Sequence, residues 1–129
     1  MTERAVEALR ADHEALLELA STFTPDEWSA PSDCAGWSVQ DVVAHMAQVF
    51  RQMVDPSSLP PGDPSGKTER NQDRYVDAMR SMTSAEVLET YRTLGEQALA
   101  GLAGIQAVES PIEMGDLGSY PLHMVANAT

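Results

Sequence analysis

A single cysteine in 129 residues leaves no internal disulfide to be made. Positive charge is also scarce. Eight Lys and Arg stand against twenty Asp and Glu, giving a formal net charge of −12 and a pI near 4.4. The basic residues form no cluster, so the chain's field repels phosphate, and nucleic acid is excluded as a partner. There is no apolar run of membrane-spanning length and no basic segment leading into an apolar leader core. We therefore expect no membrane span and a cytoplasmic protein. Aromatic residues make up only 5% of the chain. No internal repeat is present, and the one compositionally biased stretch is the proline-rich run from Asp55 to Gly66, DPSSLPPGDPSG. What remains is a 14.0 kDa chain, read as one domain over 1–129 and large enough to bury most of what its unfolded form exposes.

Helical periodicity dominates the rest. Val6, Leu9, His13, Leu16, Leu17, Ala20 and Phe23 follow one face, predicting a helix over 3–23 with Thr2 as its cap and Glu3 in its first turn. Thr24, Pro25, Asp26 and Glu27 open a short turn of helix that closes at Trp28. Pro31, Asp33 and Gly36 then break the chain. Ser38 is placed to cap a second long helix, with Asp41 three residues on as the acid of a capping box. Val39, Val42, Val43, Met46, Val49, Phe50 and Met53 build its apolar stripe, and His45 lies at the stripe's edge on a polar flank with Asp41 and Gln52. The proline-rich run suits a crossover along a bundle. Beyond it, 68–81 reads as a solvent-facing helix with a narrow apolar edge at Tyr75, Val76 and Met79, its charges serving only to solvate it. Thr83 or Ser84 caps the third long helix, 84–103, along which Val87, Leu88, Tyr91, Leu94, Ala98 and Leu102 keep helical spacing and Gly95 is a weak point. From Gly104 to Gly118 we expect loop or short extended structure. Ser119 is read as the cap of a fourth helix with Pro121 in its first turn; no stop signal follows, so this helix is expected to be clipped by the end of the sequence at Thr129.

Within this frame the run from Trp28 to Met46, W-x-x-P-S-D-C-x-G-W-S-V-x-D-V-V-A-H-M, resembles the signature of the DinB-like superfamily, in particular the actinobacterial branch typified by the N-terminal domain of mycothiol-dependent maleylpyruvate isomerase. The resemblance implies an all-α four-helix bundle with a long crossover. It also implies a divalent metal, Zn or Ni, held by one histidine of the second helix and by a histidine or carboxylate pair of the fourth, with mycothiol as a co-substrate. The position matching the first ligand is His45. The pair would need D/E-x-x-x-H or H-x-x-x-H in the last helix, and neither occurs: His123 is followed four residues on by Asn127.

Other residues have plainer readings beside the chemical ones. His13 lies on an apolar stripe and is expected to be a core-edge histidine bonded to a neighbour rather than a ligand. Cys34 precedes the positive end of the second long helix, which favours a thiolate, but no base is evident near it, and a small structural side chain is the simpler role. The two tryptophans are expected to plug one end of the bundle, with the alternative that their loop roofs a pocket beside His45. Two functions stay open. One is a thiol-dependent metalloenzyme, an isomerase or S-transferase acting on a small molecule. The other is a non-catalytic binding or assembly module. A bundle with a clipped fourth helix leaves an apolar groove, so a homodimer is expected.

Overall fold

The computed structural model describes residues 3–104, 111–113, 116 and 118–121. Its body is all helical. Helix α1 spans Glu3–Ala20, α2 Pro25–Ser29, α3 Val39–Val54, α4 Thr68–Asp77 and α5 Ser84–Ala103, with a single 3₁₀ turn at Pro56–Ser58. The long helices α1, α3 and α5 make the bundle, α5 packing against both of the others, while α4 rides on α3 within the crossover. Their shared core is formed by Leu17 and Ala20 of α1, Val43, Ala44, Ala47 and Phe50 of α3, and Val87, Tyr91, Leu94 and Ala98 of α5, closed by Trp28 and Met79.

Three helix starts are built in the same way. Thr24 with Glu27, Ser38 with Asp41 and Thr83 with Glu86 each form a reciprocal capping box, the hydroxyl accepting from the amide three residues on and the carboxylate accepting from the cap's own amide. Of the two caps offered by sequence for the third long helix, Thr83 is the one used. The cap read at Thr2 lies outside the described residues.

Helix α1 ends at Ala20, three residues before the expected boundary. The hydroxyls of Ser21 and Thr22 donate to the carbonyls of Glu18 and Leu19 at 2.6 and 2.7 Å, offering the backbone an end to the ladder. Phe23 then turns its ring edge to Trp28, with centroids 5.3 Å apart. Likewise α4 stops at Asp77, and the turns through Met82 bring Arg80 back toward α3.

The expected fourth-helix start is corrected by the structure. Ser119–Pro121 forms a strand, β2, paired antiparallel with β1 at Pro111–Glu113, in the register Pro111 with Pro121, Ile112 with Tyr120 and Glu113 with Ser119. Gly118, at φ 94°, leads into β2 in the left-handed region open to glycine. The remainder of that expected helix, 122–129, lies outside the described residues, as does His123.

Candidate functional site

Helix α3 presents three sides. One side supplies the core residues Val43, Ala44, Ala47 and Phe50. A second side, turned about 160° from Val43 at 100° per residue, carries Asp41, His45 and Gln48 toward α4. The third, Val42, Met46, Val49 and Met53, is half-buried or exposed.

The α3–α4 seam is polar and specific. Gln48 Nε2 donates to the Tyr75 carbonyl at 2.9 Å, and both residues are buried. Asp41 takes the Arg80 guanidinium at 3.3 Å, and Arg80 also donates to the Gly36 carbonyl at 3.3 Å and pairs with Asp77 at 2.7 Å. Trp37 Nε1 donates to Asp73 Oδ1 at 3.1 Å. Gln40 Nε2 reaches the Met82 carbonyl at 2.9 Å. Farther out, Arg74 pairs with Asp63 at 3.4 Å. The charges of this segment therefore tie the crossover to α3 and its leading loop, where the sequence suggested only solvation. Asp116 adds a contact from far along the chain: its carboxylate accepts from the amide and hydroxyl of Thr68 at 3.0 and 2.7 Å, which holds it below the usual carboxylate range.

His45 sits within this seam. Its ring lies against Trp37, centroids 5.2 Å apart at 46°, and burial pushes its pKa below the ordinary imidazole value, with the Gln72 side chain acting in the opposite sense. The Nδ1 atom is buried and has no hydrogen-bond partner. From the polar flank expected for it, His45 faces the crossover helix, with Trp37 against its ring. Of the two tryptophans expected to plug the bundle, Trp28 is buried in the core, and Trp37 lies against the His45 ring. Gln52, placed by sequence on the same flank, is exposed.

The other two singled-out residues are apart from His45. His13 is buried, 3% exposed, with Nε2 and the Tyr91 carbonyl 3.3 Å apart and its ring against Tyr91 and Phe50 at 4.8 and 5.6 Å. It is the core histidine expected, seated deeper than the core's edge. Cys34 is exposed on the turn between Ser32 and Trp37. A cleft of about 500 Å³ opens along Arg51, Met82, Glu86, Thr90, Leu94 and Gln97, and His45 is not among its walls. Among the described residues no three His, Cys, Asp or Glu side chains come together as a metal site. His45 fits the part of one ligand, a half-buried imidazole whose pKa is lowered by burial, and the described residues do not supply the others. Sequence reading missed Gln48 and Gln72. Gln48 carried a usable signal, a polar residue one turn after His45 on the flank that already bears Asp41. Gln72 carried none, standing among charged neighbours.

A helical bundle with a long crossover, opened by a Trp-flanked loop and bearing a histidine on its second long helix, defines the DinB-like class. Within it the chain belongs to the mycothiol maleylpyruvate isomerase N-terminal domain family, whose profile matches residues 9–117. No curated protein and no solved structure matches the chain.

Proposed function

We propose that this chain is a helical domain of a mycothiol- or related thiol-dependent isomerase or transferase that acts on a small molecule, with His45 as one ligand of a divalent metal such as Zn or Ni. The family match supports the thiol chemistry, and one observation carries the metal reading: His45, at the end of the family-like motif, is a half-buried imidazole with its Nδ1 atom buried and unpartnered. When bound, such an ion polarises a carbonyl or activates a thiol. The chain's own contribution is to hold the ring at a fixed angle under Trp37 and to shield it on the α4 side. Metal content after exhaustive dialysis tests this. Retained Zn or Ni in the wild type, lost in His45→Ala, is the expected result; equal content in both overturns it.

A second reading, a non-catalytic assembly module, is favoured by the lack of a three-ligand cluster among the described residues. We also propose a cytoplasmic homodimer. Among the described residues no helix is long and apolar enough to cross a membrane, and the uncharged stripe Val42, Met46, Val49 and Met53 offers a chain of net charge −12 a surface on which a second copy meets no like charge. Sedimentation at micromolar concentration should give twice the 14.0 kDa mass, and Met46→Glu should halve it.

A further inference from the structure

Among the described residues three buried side-chain atoms lack a hydrogen-bond partner, and all three belong to the seam between α3 and α4: His45 Nδ1, Gln48 Oε1 and Gln72 Oε1. Buried polar atoms are almost always paired, so a cluster of orphans marks groups that complete one another after a small adjustment or complete a ligand. Their chemistry is not symmetrical. An amide oxygen only accepts, whereas a neutral imidazole has one nitrogen that donates and one that accepts. Gln72 Oε1 therefore has a use for a ring N–H and none for a ring lone pair. Gln48 is committed elsewhere: its amide nitrogen is fixed on the Tyr75 carbonyl at 2.9 Å, which sets where its oxygen points. Gln72 is the residue whose side chain acts on the His45 ring.

We propose that Gln72 is the positioning residue of His45: its Oε1 accepts from Nδ1–H, fixes that tautomer, and leaves Nε2 as the lone-pair nitrogen turned toward any ion the domain binds. The use of Nε2 rests on the metal reading above, while the hydrogen bond itself does not. Metal-binding histidines are held by a second nitrogen that donates to an oxygen, and a residue of the crossover helix supplies that oxygen here. Trp37, tilted against it at 5.2 Å and 46°, limits the plane of the ring, and Gln72 fixes its proton.

Long-range ¹H–¹⁵N spectra of the metal-free, histidine-labelled chain, recorded where the imidazoles are neutral, read the tautomer directly, with His45 assigned by the loss of its signals in His45→Asn. The expected result is a protonated Nδ1 and an unprotonated Nε2 in the wild type. Gln72→Met, which keeps length and loses the acceptor, should move His45 to the Nε2–H form that free histidine prefers, and Gln72→Glu should restore Nδ1–H. In Zn titrations Gln72→Met should weaken binding roughly 10- to 100-fold, with Gln72→Glu close to wild type. A wild-type Nε2–H tautomer would overturn the proposal, since the amide would then be donating to the ring. So would a tautomer that follows Gln48→Met and ignores Gln72→Met. A tautomer that obeys Gln72 in a chain that binds neither Zn nor Ni upholds the positioning and removes the metal function. The wild-type spectrum alone decides the tautomer should a variant fail to fold.

Discussion

Arg80 closes on Asp41 at 3.3 Å across 39 residues of sequence, and the same Asp41 carboxylate accepts from the Ser38 amide at 3.0 Å to cap α3. One buried acid thus starts the histidine-bearing helix and anchors the crossover to it. The two tasks separate by mutation. Arg80 is 47% exposed, so Arg80→Ala should cost less than about 1 kcal/mol. Asp41→Ala removes the capping box as well and should cost about 1–2 kcal/mol. Urea denaturation of the two variants checks the order.

Gly95→Ala should destabilise, against the helix propensity that favours Ala by about 1 kcal/mol. A Cβ at Gly95 would overlap the His13 ring, which packs directly on the α5 backbone there. Overfilling a packed core costs about 1–3 kcal/mol, so the net loss should be up to about 2 kcal/mol. In a His13→Ala background the same substitution should become neutral or stabilising, and a double-mutant cycle reads the coupling.

Burial pushes the Tyr91 phenol up to about 12, with the Asp12 carboxylate adding to the shift. Folding favours the protonated phenol, so its contribution to stability is complete below pH 10, the ordinary value, and is lost as pH rises toward the folded value. Alkaline difference spectra should show a late-titrating tyrosine that is absent in Tyr91→Phe.

Asp73→Ala should free the Trp37 indole from its 3.1 Å bond and shift its fluorescence to the red, with a stability loss near or below about 1 kcal/mol because the bond is exposed. Asp73→Asn, which keeps an acceptor, should retain the wild-type spectrum. No shift in either variant would show that the indole is held by its contact with the His45 ring alone.

Local rules made much of this fold legible. Ser38 with Asp41 and Thr83 with Glu86 are caps readable from four residues each, and the apolar stripes of α1, α3 and α5 follow from spacing. What could not be read is non-local. Gly95 looked like a defect in a helix because the group that needs its missing Cβ is 82 positions away in sequence, at His13. Ser119 looked like a helix cap because its partner strand, 111–113, is specified by pairing and by the left-handed Gly118 and not by any pattern within 119–121. His45 was found by motif and by its place on α3. Of its surroundings, Trp37 comes from the loop leading into α3 and Gln72 from the return of the crossover onto α3, which periodicity within one helix does not encode.

The seating of His13 against Gly95 also fixes how α1 lies along α5. Interfaces made of Val, Leu and Ala are nearly smooth, and two such helices can slide by a turn with little change in the apolar area they cover. A ring inserted into a notch one residue wide removes that freedom. Displaced by a turn, α1 would bring Leu9 or Leu17 to the notch, a branched side chain with no nitrogen for the Tyr91 carbonyl that His13 now meets at 3.3 Å. The pair works as a key in a slot, and it selects a single alignment from a ladder of near-equivalent ones.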